Sequence, residues 1–222
     1  MHHAIEYQHF STPHLQVGAR KRSPTGQLLR VTQGAALLRL GAHELLLTAG
    51  SHFWLCADAL AAFTPLAGSR VDQLTCSLRV AQPAQAGWVQ PTPLLDALLG
   101  SLAGWDRDPD WQGAYGDRLR VIVDELLTCP IAPQANQSLQ AAWQALQAGK
   151  SVDVQPLAAA GLDPQSLQAQ WQLLQAARLL RSGSKPAQVI GKLGYRDETA
   201  LAEACQQWLG QPLDTLSQSA SA

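Results

Sequence analysis

The sequence predicts an α+β protein, with a small antiparallel β-barrel or sandwich first and an all-α region after it. Short apolar runs separated by glycine fill the first third of the chain, as in strands joined by tight turns. After Pro83 the apolar residues recur every three or four positions, which is typical of amphipathic helices. Near the carboxyl end, two short helical patterns flank a glycine turn, which is the outline of a helix-turn-helix. A chain of 222 residues is long enough for one large or two small domains.

Composition favours a globular protein with few charges. Hydrophobic residues make up 46% of the chain and charged residues 15%. No apolar run approaches the roughly 20 residues that cross a bilayer, and residues 1–30 lack the apolar segment of a secretory signal. The cysteines are far apart and without paired spacing: Cys56, Cys76, Cys129 and Cys205. We therefore expect reduced thiols in a cytoplasmic protein, with no metal site and no contact with a membrane.

The β-region is predicted from five short segments. They are Gln27–Gln33, Ala35–Leu40, His43–Thr48, His52–Cys56 and Val71–Val80. Because isolated short strands expose their pairing edges, we expect them to close into a barrel or sandwich. The basic cluster Arg20–Arg22 precedes these strands, and we interpret it as a solvated loop, not a nucleic-acid patch.

The helical region begins with two amphipathic segments, around Leu94–Leu102 and after Asp117, which we expect to cap the second one. Their apolar faces are wider than a linker requires. Packing of this pair on the β-domain and packing on a second subunit both remain open. Further helices are predicted at Gln137–Ala148, Val154–Ala160 and Gln165–Arg181.

The helix-turn-helix pattern follows. Ser184 is placed to cap its first helix, Gly194 permits the left-handed turn, and Thr199 or Glu198 opens its second helix. The buried stripe of that second helix is predicted to contain Leu201, Ala204, Cys205, Trp208 and Leu209. Two short helices of any α-domain produce the same pattern, so the motif alone leaves both interpretations open.

Taken together, the order of segments resembles an AraC-type (AraC/XylS) transcriptional regulator over nearly the whole chain. The β-region segment "GQLLRVTQGAALLRLGAHELLLTAGSHFWL" is similar to the family's cupin-type sensor domain, and "TPLLDALLGSLAGW" and "DRLRVIVDELL" to the helices that follow it. The segments "LAAAGLDPQSL", "AARLLRSG" and "VIGKLGY…LAEACQQWLGQPL" resemble the two helix-turn-helix units and the helix between them. The resemblance implies a cupin-like sensor domain at 1–85, a helical linker or dimerisation region at 86–150, and a degenerate DNA-binding domain at 151–222.

The chain departs from the family pattern in three places. Between Gly161 and Leu180 it is too short for a separate first recognition helix. Its second recognition helix carries Glu203, Gln206 and Gln207 where the family commonly has basic residues. The β-region also lacks the clustered His pair and carboxylate of metal-binding cupins. His43 and His52 stand on separate strands, and we expect them to be structural or exposed.

The resemblance implies a regulator that contacts DNA and responds to a small molecule. The residues expected to face the DNA groove are Arg196, Asp197, Thr199, Ala200 and Glu203, and the candidates for contacts with the DNA backbone are Lys192 and Gln207. The residues expected to line a ligand pocket inside the barrel are Gln27, Arg30, His52, Trp54 and Arg79. A second copy or a related regulator is the expected dimer partner.

Two other functions stay open. Residues 151–222 carry five Lys/Arg against six Asp/Glu, whereas a domain that binds phosphates is normally basic, so DNA binding is expected to be weak and only shallowly salt-dependent. The alternative is a family descendant that does not bind DNA and that senses a ligand or inhibits a relative by pairing with it. A cupin enzyme is the other open function. The sequence has no metal triad, P-loop or dinucleotide-binding motif, so we expect no catalytic residue and no cofactor.

Overall fold

A computed structural model describes residues 4–151 and 153–218, and within these ranges the chain forms ten β-strands and eight α-helices. The strands are β1 Ile5–Thr12, β2 Lys21–Arg22, β3 Gly26–Gln33, β4 Ala35–Leu40, β5 His43–Thr48, β6 His52–Leu55, β7 Leu60–Pro65, β8 Ser69–Cys76, β9 Gly87–Val89 and β10 Ile131–Ala132. The helices are α1 Pro93–Ala103, α2 Ala114–Thr128, α3 Gln137–Gln147, α4 Gln155–Ala159, α5 Pro164–Arg181, α6 Pro186–Leu193, α7 Glu198–Ala204 and α8 Leu213–Gln218. A π-helical turn, Cys205–Leu209, continues α7.

The strands form two antiparallel sheets that face each other. The larger sheet has the order β1-β8-β3-β6-β9-β10, and the smaller has the order β2-β7-β4-β5. Apolar side chains fill the space between them: Leu29, Val31, Ala36, Leu38, Leu47, Phe53, Leu55 and Trp88. The predicted α+β architecture, with an antiparallel barrel before an all-α region that contains a helix-turn-helix, is confirmed.

Strands β4 and β5 match their predicted bounds, whereas β1, β2, β7, β9 and β10 were not predicted. Lys21 and Arg22, interpreted from the sequence as part of a solvated loop, instead pair with Ala61 and Leu60 of β7 as β2. All eight residues of β1 pair with β8, from Ile5 opposite Cys76 to Thr12 opposite Ser69. Strand β1 is an edge strand in which polar residues outnumber apolar ones, so its sequence resembles a loop. Strand β8 ends at Cys76, before the predicted Val80, because a turn closed by Val80 N and Ser77 O follows it (3.0 Å).

Two helix caps differ from the predicted ones. Helix α2 begins at Ala114, so Asp117 lies within its first turn and does not cap it. Helix α6 is preceded by Lys185 and not by Ser184. Helix α7 begins at Glu198, one of its two predicted first residues. Asp197 caps it, because its Oδ1 accepts a hydrogen bond from the Ala200 N–H at 2.8 Å, which would otherwise be unpaired.

The α1–α2 hairpin packs on the outer face of the six-stranded sheet. Leu95, Leu99 and Ile122 are fully buried there, and they share one apolar cluster with Trp54 and Leu74 of the sheet. Of the two packings that the sequence left open, the structure contains the intramolecular one.

The remaining helices pack on the outer face of the four-stranded sheet. Leu37 and Leu46 of this sheet belong to the same continuous apolar core as α3 to α8. Polar contacts reinforce this core. Glu44 of β5 pairs with both terminal nitrogens of Arg178 (2.7 and 2.9 Å), and the Gln140 side-chain amide hydrogen-bonds both the N–H and the C=O of Leu46. The barrel and the carboxyl-terminal helices therefore share one core.

We predict that Glu44→Gln lowers the free energy of unfolding by about 2–3 kcal/mol, because it leaves the Arg178 guanidinium without its carboxylate in a largely buried place. The side chains of Glu44 and Arg178 are 8% and 20% exposed. Urea unfolding, followed by both circular dichroism and tryptophan fluorescence, measures the change. Since the core is shared, both signals should give one transition.

The matched control is Arg120→Gln, which breaks an ion pair with Asp117 in which both side chains are more than half exposed. It should change the free energy of unfolding by less than about 0.5 kcal/mol. Equal effects of the two substitutions would contradict the role assigned to the Glu44–Arg178 pair.

Candidate functional site

The helix-turn-helix consists of α6, a turn at Gly194–Asp197, and α7 with its π-helical turn. Gly194 has a φ of 74°, a left-handed conformation that favours glycine, and it ends α6. Val189 of α6 and Leu201 of α7 are fully buried in the same apolar core as α5. This packing leaves the opposite face of α7 in solvent.

The residues expected to face DNA all lie on this unit, at or beside its solvent face. Lys192, Thr199, Glu203 and Gln207 are exposed, and Ala200 is half-buried. They form a surface with one basic side chain, one acidic side chain and two polar ones.

Arg196 and Asp197 contribute less to this surface than the sequence suggests. The Asp197 carboxylate caps α7 and also accepts a hydrogen bond from Arg196 Nε at 2.8 Å. The Ala200 N–H and the Arg196 guanidinium lower the pKa of Asp197, so the carboxylate stays charged. Its charge offsets that of Arg196 next to it.

No separate first recognition helix is found among the described residues. Helix α4 has five residues, and α5 runs without interruption for 18 residues. The first half of α5 is attached to the barrel. The side chain of Gln170 is buried, and its Oε1 accepts a hydrogen bond from the Ala67 N–H at 2.8 Å.

A cavity of about 340 Å³ lies between the two sheets at one end of the barrel. Strands β1, β3, β7 and β8 line it, together with the segment 16–21 that leads into β2. The side chains and backbone in its wall are mainly apolar or neutral, with Lys21 as its cationic group: Phe10, Gln16, Val17, Gly18, Ala19, Lys21, Ser23, Gln27, Leu55, Cys56, Ala59, Ala61, Phe63, Pro65 and Gln73. A volume of this size suits a small organic molecule.

Of the five residues expected to line an interior pocket, Gln27 is placed in this cavity. Arg30, His52 and Trp54 are corrected to the opposite face of the larger sheet, where the α1–α2 hairpin covers them. Alternation along β3 and β6 explains this: Leu29 and Phe53 point inward, so their neighbours point outward. Arg79 lies in the turn after β8, beside α2.

A polar network, which the sequence did not reveal, sits under the hairpin. Asp72 is 1% exposed, and its carboxylate accepts hydrogen bonds from Tyr7 Oη (2.8 Å) and Arg30 Nη1 (3.0 Å) and lies 2.6 Å from His9 Nδ1. The other terminal nitrogen of Arg30 lies 3.1 Å from Asp96 of α1. These groups come from β1, β3, β8 and α1, so no local pattern in the sequence connects them.

His52 completes this network. Its Nε2 lies 3.1 Å from Asp96 Oδ1, at charge-pair distance but without the alignment of a hydrogen bond. Burial lowers the pKa of His52, and the Arg30 guanidinium lowers it further, whereas the Asp96 carboxylate acts in the opposite direction. Burial also raises the pKa of Tyr7, with the Asp72 carboxylate adding to the effect. The neutral forms of both side chains are therefore favoured.

The remaining chemistry is sparse. Within the described ranges there is no group of three His, Cys, Asp or Glu side chains that could hold a metal ion. The four cysteines are free, and burial raises the pKa of the Cys76 thiol to about 12, which disfavours the reactive thiolate. No helix in the described part of the chain is long and apolar enough to cross a membrane.

Comparisons with known proteins found no matching family model and no matching curated protein. Solved structures that resemble this one include ToxT from Vibrio cholerae, at 10% identity, with 98% of each chain covered and a TM-score of 0.37. The AraC-like transcriptional activator CuxR is similar over 88% of this chain and 78% of its own, at 10% identity and a TM-score of 0.46. A cupin superfamily protein from Desulfitobacterium hafniense covers 35% of this chain and 71% of its own, at 14% identity and a TM-score of 0.33. At these scores the likenesses carry no conclusion about function.

The lowered pKa of His52 predicts a loss of stability in acid. Its imidazole binds a proton more readily in the unfolded chain, whose pKa is near the ordinary 6.5. The unfolded state is therefore favoured as the pH falls below that value, by up to about 1.4 kcal/mol per pH unit from this group. In His52→Gln this part of the pH dependence should disappear, as measured by urea unfolding between pH 7.5 and pH 5 in steps of about half a unit.

His43→Gln is the control, since His43 is exposed at the start of β5. Its stability should follow the wild-type pH profile. An unchanged profile in His52→Gln would contradict the assignment of a lowered pKa to His52.

Proposed function

We propose that this protein is an AraC-type transcriptional regulator that contacts DNA through α6–α7 and takes a small effector in the barrel cavity. One observation supports the proposal most directly. The α6–α7 unit has one face in solvent, and its other face shares an apolar core with a barrel that contains a ligand-sized cavity. Residues 1–85 would be the sensor, 86–150 the linker and dimerisation region, and 151–222 the DNA-binding domain. A cytoplasmic dimer is the expected form.

The residues proposed to contact DNA differ in their roles. Thr199 can hydrogen-bond base edges, and Glu203 can accept from a cytosine amino group but repels phosphate. Gln207, a candidate for a backbone contact from the sequence, is exposed on the same unit, and its amide can also read adenine. Lys192, at the end of α6, is suited to a phosphate contact. Arg196 is partly neutralised by Asp197, which serves the fold as a cap.

The effector would act through the segment that leads into β2. Val17 and its neighbours form one wall of the cavity. The same segment is tied to the DNA-binding domain, because Leu15 N–H donates to the Trp208 carbonyl at 2.7 Å and Arg181 Nη1 donates to the Val17 carbonyl at 3.2 Å. Gly18 packs so closely on β7 that an added Cβ would lie 1.9 Å from the Phe63 carbonyl oxygen. A ligand that displaces this segment would therefore also displace the π-helical turn that continues α7.

A family descendant that inhibits a relative by pairing with it is the second candidate. Two observations favour it: residues 151–222 have more acidic than basic side chains, and α4–α5 lacks a separate first recognition helix. Such a protein would not distinguish one duplex from another.

The proposed function predicts that Glu203→Gln strengthens DNA binding several-fold, because it removes a carboxylate that faces the phosphates. Fluorescence anisotropy measures the Kd for the protein's own upstream region and for a random duplex. The Thr199→Ala/Gln207→Ala variant should weaken binding to the upstream region by about tenfold or more, at roughly 1–3 kcal/mol for each lost base contact, and leave the random duplex unchanged.

Asp124→Asn is the matched control for Glu203→Gln, since it removes the same charge from the exposed face of α2. It should leave both Kd values unchanged. Failure of the wild-type protein to prefer any duplex, with no response to Glu203→Gln, would refute the regulator and favour the second candidate.

A further inference from the structure

A group of arginines on the barrel side of the molecule lies outside the helix-turn-helix. It lies on the outer face of the four-stranded sheet, beside the helices that cover the rest of that face. Arg39 of β4 marks its centre. Ala35 and Leu37 point outward into the helical core, and Arg39 follows them at the same two-residue interval, so it points outward too.

Two more arginines lie on this face, one in β2 and one just before it. Arg39 is opposite Ala62 of β7, and Arg22 of β2 is opposite Leu60, two residues along the same strand. Arg20 precedes Arg22 by two residues, and its Nη2 reaches the Gly41 carbonyl in the β4–β5 turn at 3.1 Å. Because β2 and β4 are separated only by β7, their backbones are about 10 Å apart.

The end of α5 supplies the remaining charge. Arg178 contacts Glu44, which is opposite Arg39 in β5. Arg181, one turn further, donates to the Val17 carbonyl beside β2. We call this set the basic face: Arg20, Arg22, Arg39, Arg178 and Arg181.

The basic face has a net positive charge. Two carboxylates accompany its five arginines: Glu44, which is already paired with Arg178, and Asp58, whose carboxylate lies 3.8 Å from Arg22. The chain as a whole carries −1, so the other 11 basic and 15 acidic residues leave the rest of the protein negative. This face therefore carries a positive charge of opposite sign to the sum over the rest of the chain.

Arg39 has unused binding capacity. It is half-buried, and among the described residues it makes no hydrogen bond or ion pair, although a guanidinium has five N–H donors. An arginine held in place by a sheet, with its donors free and other arginines around it, is suited to phosphate oxygens, which a guanidinium can bind through two hydrogen bonds.

We propose that the basic face binds the phosphate backbone of duplex DNA. The proposal rests on the proposed function and names the surface that supplies its electrostatic affinity, which the nearly neutral helix-turn-helix lacks. Arginines spread over an open surface fit an extended polyanion and not a small anion, which would need an enclosed site. The sequence did not reveal this surface, because Arg20–Arg22 is separated along the chain from Arg39, Arg178 and Arg181. The fold brings these residues together.

The test is an anisotropy titration of the full-length protein on its own upstream region and on a random duplex, at about 50 and 200 mM salt. The variant is Arg20→Gln/Arg22→Gln/Arg39→Gln, which leaves the Arg178 pair between the domains intact. It should weaken binding to both duplexes about tenfold or more at the lower salt. It should also reduce the slope of log K against log salt by up to about 3, one for each lost phosphate contact.

The control variant is Arg79→Gln/Arg107→Gln/Arg120→Gln, which removes the same charge from exposed positions near the α1–α2 hairpin. It should leave both affinities within about twofold of wild type, since surface charges beyond about 10 Å are screened. Circular dichroism of both variants checks that they fold.

Each other outcome overturns the proposal in a recognisable way. Equal losses in both variants would mean that only net charge matters. Wild-type binding that the basic-face variant leaves unchanged would refute the basic face and leave the regulator intact. A wild-type protein that binds no duplex refutes both proposals. Binding to phosphatidylglycerol vesicles in place of duplex, lost in the basic-face variant, would make an anionic lipid surface the partner.

Discussion

Burial of the four-stranded sheet on both sides is the constraint on which the rest of the structure depends. Along β4, Leu38 belongs to the barrel interior while Leu37 lies under the carboxyl-terminal helices. A sheet with two apolar faces is unstable unless both are covered. The helices therefore cannot detach as a separate head without exposing part of the core that holds the barrel together. Whatever the α6–α7 unit contacts, the barrel must accompany it.

The other sheet is covered differently, by a hairpin that holds a charged network beneath it. Asp72 is buried, and its carboxylate would be costly to leave without partners. Tyr7 and Arg30 supply them, and Arg30 extends the network to Asp96 of α1. The hairpin thus depends on apolar packing and on an arginine shared by two carboxylates. The junction on the opposite sheet combines a larger apolar core with the Glu44–Arg178 pair.

The spacing of apolar residues and the positions of glycine and proline predicted much of the fold. Strands β4 and β5 and the long α5 were found because glycine turns, or a proline and a glycine, bound clear apolar patterns. The ligand residues were misplaced for a physical reason: when both faces of a strand are covered, apolar residues do not alternate with polar ones, and nothing local tells Leu28 from Leu29. The exposed residues of α7 were easier to predict, because one face of that helix is in solvent and the other is buried. The basic face needed contacts between residues more than 100 positions apart.

The segment before β2 has one further consequence. It forms one wall of the cavity, and its backbone is hydrogen-bonded to Trp208 and Arg181. Under the proposed function the effector site and the DNA site share this segment, so they would be thermodynamically reciprocal: the factor by which an effector changes the affinity for DNA would equal the factor by which DNA changes the affinity for the effector. Protein bound at a promoter would then respond to a different concentration of effector from protein free in solution.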